Sequence, residues 1–190
     1  TERLHYYGAL VRHWLEASRK NAREVFGLPG MFGPAHGYLP PIKADEYFHT
    51  ISSWEFCMEI PAQVMKAVWD IWDYGGDERY LARTVYPALR ELAIFYTEYL
   101  TRGDDGAYHA IPAMSAEHWG WTWRFERNRD SASALSLIKW TLKSSAAAAQ
   151  LLGRDADLRD EWRRIAGRMA PYPTAMSAEG PVYTDVAGAQ

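Results

Sequence analysis

Apolar residues recur at steps of three and four along most of the chain, and that spacing selects the α-helix over any other regular structure. In residues 2–26, Leu4, Tyr7, Leu10, Val11, Trp14 and Leu15 fall on one helical face and Arg12, Glu16 and Arg19 on the other. The period resumes from Ser52, with Ser53 as a candidate cap, and runs through Val64, Met65, Val68, Trp69 and Trp72 to the stop YGGD. Pro61 either kinks this helix or marks its true first turn. Asp77 can cap the next segment, where Tyr80, Leu81 and Val85 precede Pro87 and Leu89, Leu92, Ala93, Tyr96 and Leu100 follow it. Leu135, Ile138, Leu142, Ala146 and Ala149 mark a further helix ended by Gly153, and Leu158, Trp162, Ile165 and Met169 mark a fifth, stopped by Pro171 and Pro173. The expectation is an all-α fold of helix, turn, helix units without a sequence repeat.

Between the helices lie three stretches that cannot be helical. GLPGMFGPAHGYLPP, residues 27–41, holds four Gly and four Pro, and Met31, Phe32 and Tyr38 are placed to anchor it as an ordered loop. RGDDGAYHAIP, residues 102–112, reads as a Gly/Asp turn. The third is IPAMSAEHWGWTWRFERNRD, residues 111–130, where Pro112 and Gly120 argue for loop or extended chain.

A chain of 190 residues has room for one structural unit with a sizeable core. Its 21 basic and 24 acidic residues are scattered, without the Lys/Arg runs that neutralise phosphates or an anionic bilayer, so neither nucleic acid nor a membrane is an expected partner. No stretch approaches the roughly 20 apolar residues that span a bilayer, and the opening TERLHYYGAL lacks the shape of a secretion signal. It starts on Thr1 inside a helical pattern, which is what a piece of a longer protein would show. The lone Cys57 cannot form an internal disulfide and reads as a small buried apolar group. His36, His49, His109 and His118 lack the spacing of a zinc cluster, and no Ser/His/Asp order or phosphate-cradling Gly loop stands out, so no metal or cofactor is expected.

Nine Trp and twelve Tyr are the unusual part of the composition. Aromatic side chains fill cores, and they also stack on the apolar faces of sugar rings. Trp69 and Trp72 lie on an apolar helical stripe and read as core. The loop 111–130 is different: Glu117 stands just ahead of Trp119, Trp121 and Trp123. Were residues 117–125 extended, alternation would send Glu117, the three tryptophans and Phe125 to one side, and a carboxyl against an aromatic wall loses water and tends to stay protonated. Beside it, His118 could tune Glu117 or simply be exposed. Asn128 and Arg127 could bond sugar hydroxyls or stay exposed, and Asp130 could do the same or cap the following helix. Trp54 and Glu55 would begin a helix and could line a sugar pocket.

WDIWDYGGDERYLARTVYPALRELAIFYTEYL, residues 69–100, resembles the hairpin of six-hairpin glycosidases, in which an aromatic helix ends at a Gly-Asp turn and a Tyr-Pro break opens the next. IPAMSAEHW is similar to the Pro-Ser-x-Ser-Pro-Glu-Asn/His segment of family 95 glycoside hydrolases, with Ala116 in place of Pro and His118 in place of the commoner Asn. NAREVFGLPGMFGPAHGY and NRDSASALSLIKWTLKSSAAAAQLLGRDADLRDEWRRIAGRMAPY resemble the stretches flanking these, so the likeness covers residues 20–172. The resemblance is more distant to family 65, whose hydrolases and phosphorylases share the barrel and a similarly placed Glu.

That resemblance implies part, about half, of an (α/α)6 barrel, with residues 1–190 one segment of the catalytic domain and the remainder supplied by the same parent chain. It implies Glu117 as general acid of an inverting hydrolase of an α-linked sugar, an α-L-fucoside or α-L-galactoside. The residue chemistry above adds His118, Trp119, Trp121, Trp123, Asn128, Asp130 and Trp54 as candidate substrate contacts. The general base would lie after Gln190, and the family's catalytic Asn pair before Thr1. It also leans towards a periplasmic or extracellular location. A family 65-like phosphorylase, or a barrel that binds carbohydrate without cleaving it, are the alternatives.

Overall fold

A computed structural model describes residues 2–33, 56–115 and 120–188. Helix α1 (Glu2–Val25) buries Leu10, Val11, Ala17 and Ala22 along one side, as its period requires. The Gly/Pro stretch that follows is ordered by its backbone over residues 27–33. Met31 N–H donates to the Glu91 carbonyl at 3.2 Å, Phe32 N–H to Ser18 at 3.0 Å, and the Asn21 amide to the Phe32 carbonyl at 3.0 Å. Met31 and Phe32 are both buried anchors, while Tyr38 lies outside the described residues.

Helix α2 (Ile60–Gly75) starts later than the period predicts. Pro61 stands in its first turn, where a missing N–H is no loss, and Cys57–Glu59 lead in as a turn. The expected start near Ser52 is thereby corrected; Ser52 and Ser53 themselves are outside the described residues, as are Trp54 and Glu55. Gly76, at φ 67°, ends α2, and its N–H closes on the Trp72 carbonyl at 2.7 Å. Asp77 then caps α3 (Glu78–Tyr80), accepting from the N–H groups of Arg79 at 2.8 Å and Tyr80 at 3.2 Å. A π-helical turn, Leu81–Val85, joins α3 to α4 (Tyr86–Tyr99) without a break. Pro87 gives the reason: it has no N–H for the carbonyl four residues back, and the wider turn keeps its ring clear of that carbonyl.

Helix α4 is the centre of the packing, touching α1, α2, α5 (Ala132–Leu152) and α6 (Ala156–Ala166). The buried Ala146, Ala148 and Ala149 of α5 allow close helix approach, and Ser145 Oγ donates to the Leu89 carbonyl of α4 at 3.1 Å. Gly153 at φ 64° turns the chain into α6. Asp155 at that turn binds Tyr86 Oη and the Arg90 guanidinium of α4, and Arg90 first, then Tyr86, hold its carboxyl below the usual range.

Among the described residues, two small antiparallel hairpins complete the all-α arrangement. Strands β1 (Thr101–Arg102) and β2 (Tyr108–His109) enclose the Gly/Asp turn, and β3 (Thr174–Ser177) pairs with β4 (Gly180–Tyr183). β2 also docks beside the end of α6, with Tyr108 N–H bonded to Arg168 O and Ala170 N–H to Tyr108 O, each 2.9 Å. That contact sets where the chain enters residues 110–130. The half-buried Trp69 and Trp72 pack edge to face at 4.6 Å against the rim of the core, with Trp140 6.3 Å from Trp69. Cys57 is buried and forms no disulfide.

Candidate active site

Residues 110–115 leave the helical body and residues 120–130 return to it through a tightly fastened stem. Asp130 N–H donates to Ala110 O at 3.0 Å, and Ala110 N–H donates to Asp130 Oδ1 at 2.9 Å. One step further in, Ala113 N–H meets Asn128 O at 2.8 Å. Three other elements brace the same stem. Tyr99 of α4 donates its hydroxyl to Pro112 O, Met114 N–H bonds Phe56 O at 2.8 Å, and Ser115 Oγ donates to Asp185 in the segment after β4. Asp185 O in turn accepts from Ala132 N–H at 2.8 Å, so the stem, the start of α5 and the tail lock together.

Asp130 does not cap α5. Ser131 does, its Oγ accepting from Ala134 N–H at 3.3 Å, because the Asp130 carboxylate is already engaged by Ala110 and by His109 Nδ1 at 2.7 Å. His109 is buried, with Asp105 3.2 Å from its other ring nitrogen and the Arg129 guanidinium 3.3 Å from Nδ1. Burial alone would lower the His109 pKa, but the bonds to Asp130 and Asp105 outweigh it and the net shift is upward. Asp105 is held below its usual range by the Ala107 N–H first and His109 second. The histidine cluster escaped sequence reading because Asp130 is 21 residues from His109 and no periodicity links them.

Asn128 is fully buried rather than exposed. Its Oδ1 accepts from Thr122 N–H at 2.8 Å and Thr122 Oγ1 at 2.9 Å, while Nδ2 donates to Gly120 O at 3.0 Å and lies 3.3 Å from Met114 Sδ. Thr122 Oγ1 also accepts from Arg127 N–H at 2.9 Å. The extended run expected over 117–125 is corrected at its far end, since Trp123–Phe125 form a 3-10 turn with Arg124 at φ 54° and Phe125 at φ 57°. Left-handed backbone costs a non-glycine residue about 1–2 kcal/mol, so two in succession need support from outside the turn.

At the tip the aromatic residues face solvent. Trp121 is 43% exposed, Trp123 79% and Phe125 55%. Trp121 is edge-on to Phe125 at 5.4 Å and to Phe56 at 5.0 Å; Phe56 leads through Phe26 to Phe95 and Tyr99, so the shelf is the outer end of an aromatic chain rooted in the core. Arg124 and Glu126 are exposed on the same turn. Glu117, His118 and Trp119 fall outside the described residues, between Ser115 and Gly120 in the chain. No group of three or more His, Cys, Asp or Glu among the described residues is arranged to hold a metal, and no described helix is long and apolar enough to cross a membrane.

The packed helical hairpins form part of an all-α (α/α) domain, and the aromatic loop is fastened to it at both ends of its stem. The model of the glycosyl hydrolase family 95 catalytic domain matches residues 5–182, and the chain belongs to that family. It is therefore glycoside hydrolase sequence, and the expected six-hairpin kinship holds. Among curated proteins, none matches the chain.

Proposed function

We propose that this chain supplies the proton-donor side of an inverting glycoside hydrolase acting on an α-linked sugar, with an α-L-fucoside or α-L-galactoside as the substrate class. Glu117 is the general acid, and Trp121 and Trp123, with Trp119, His118 and Trp54, contact the sugar. The general base belongs to the remainder of the barrel in the same parent chain. The observation that supports this best is the aromatic shelf: rings between 43% and 79% exposed, on a loop fastened at both ends, are costly to leave in water unless a ligand covers them. Sugars present C–H faces that suit such rings.

The chemistry follows from the roles. A protonated carboxyl beside the glycosidic oxygen donates its proton as the C–O bond breaks, while a carboxylate on the opposite face deprotonates the attacking water and the anomeric configuration inverts. In the full-length enzyme, Glu117→Gln keeps shape and polarity but has no proton to give. Hydrolysis of a glycoside with an alkoxide leaving group should fall by about two to four orders of magnitude, and that of an activated aryl glycoside far less. Equal losses on both would reassign Glu117 to substrate positioning. Proton NMR of the first-formed anomer checks inversion, and turnover that requires phosphate and releases a sugar 1-phosphate would replace hydrolysis by phosphorolysis.

A further inference from the structure

We infer that Asn128 is a positioning residue, whose buried amide holds the Trp121, Trp123 and Phe125 shelf in its sugar-binding shape without touching sugar. The inference rests on the proposed carbohydrate-binding role of that shelf. Asn128 has no exposed surface, and each of its polar groups is already engaged. Its N–H donates to Phe125 O at 3.1 Å and its carbonyl accepts from Ala113 at 2.8 Å, while the side chain spans Thr122 on one side and Gly120 and Met114 on the other. Both acceptor sites of Oδ1 and both hydrogens of Nδ2 are taken, and burial closes the residue to a sugar hydroxyl.

The bonds fall where the loop needs them. Gly120 and Thr122 flank Trp121, and Thr122 and Phe125 bracket the turn in which Arg124 and Phe125 adopt left-handed backbone. Trp123 is 79% exposed, so packing contributes little to holding it. A planar amide offers an acceptor to the Thr122 N–H and a donor to the Gly120 carbonyl at once. An aspartate would set a negative charge against that carbonyl, and a leucine would bond neither. Asn128 thus ties the two sides of the loop through one side chain, and its removal frees a turn whose own backbone preference lies elsewhere.

The test uses the full-length enzyme with 5-fluorotryptophan incorporated. Asn128→Ala should shift or broaden the fluorine resonances of Trp121 and Trp123, assigned with single Trp→Phe variants, and leave the resonance of the buried Trp162 in place. Unchanged Trp121 and Trp123 resonances would overturn the inference. Calorimetry with an α-L-fucosyl and an α-L-galactosyl disaccharide, in a Glu117→Gln background so that neither is consumed, supplies the second measurement. Asn128→Ala and Trp123→Ala should each weaken binding about tenfold, and the double variant no more than about threefold further, because one acts through the other. Losses that multiply to about a hundredfold would mean that Asn128 meets the sugar independently. Should Trp123→Ala leave affinity intact, or neither sugar bind, the shelf reading falls and takes the inference with it; should Trp123→Ala weaken binding while Asn128→Ala does not, only the inference falls. If Asn128→Ala does not fold, Thr122→Val, which removes one bond to the amide, should weaken binding about threefold with the same non-additivity, and full additivity there would also overturn it.

Discussion

His109 lies between Asp130 and Asp105 with Arg129 alongside, and its protonated form is the one the two carboxylates favour. A histidine whose pKa is raised on folding contributes stability that is fully present below its unfolded value near 6.5 and is lost as the pH rises through the folded value. Asp105, lowered on folding, works the other way: its contribution is present above about 3.8 and is lost as the pH falls through the lower folded value. Melting temperature should therefore decline as the pH rises above about 6.5, and His109→Gln should flatten that decline. A wild-type profile as flat as the variant's would remove the histidine from the stem's stability. Exposure separates the two shelf tryptophans as well. Trp123→Ala should leave stability within about 0.5 kcal/mol while lowering sugar affinity about tenfold, measured by thermal melts and calorimetry. Trp121→Ala should move both, since its ring also packs on Phe56 and Phe125.

The elements are fitted through a few close approaches, and Gly30 is the closest. At φ 83°, it presses the loop after α1 onto α4, where an added Cβ would meet the Glu91 carbonyl oxygen at 2.3 Å and the Phe95 nitrogen at 2.8 Å. Both the conformation and the space exclude a side chain, so Gly30→Ala should destabilise by about 2–5 kcal/mol in denaturant titration. Gly27→Ala, with a similar φ of 68° but nothing within 4 Å, should cost only about 1 kcal/mol. A Gly30→Ala loss no larger than that of Gly27→Ala would mean that the loop and α4 do not hold this contact in solution. The same α4 reaches the site loop through Tyr99 and the segment before α2 through Tyr96, whose hydroxyl donates to Met58 O. Packing at α4 and the shape of the site loop are therefore coupled.

For the molecule as a whole, the proposal that residues 1–190 form part of a larger ring carries its own consequence. Tyr74, Leu151, Met176 and Tyr183 are each more than 60% exposed, and the Trp69, Trp72 and Trp140 group is only half covered. Expressed alone, the segment should self-associate, seen by sedimentation as dimers or larger species, with a broad thermal transition. A monomer that melts cooperatively would count against the ring reading.

Helix identity was legible from residues 2–26 and 135–169 onward because it depends on neighbours three and four apart, and the stops at Gly76 and Gly153 and the cap at Asp77 depend on still fewer residues. The family was legible too, in the short runs around Tyr86-Pro87 and Ser115 to Trp119. Pro61 left two readings open from sequence, and the packing of the segment before it chose the first-turn one. What no local pattern could supply is the interior of the site loop. Asp130 and Ser131 are both good caps, and Ser131 caps because docking of β2 beside α6 brings His109 and Ala110 to the Asp130 carboxylate. Asn128 reads from sequence as a residue that bonds hydroxyls or stays exposed, and it is buried because Ala113, Met114, Gly120 and Thr122 bond to it from separate parts of the chain. The helices and the family rest on contacts within a turn or on contiguous motifs and can be read along the chain; which polar side chains brace the loop and which rings stay exposed is set by pairings between segments that only helix packing brings together.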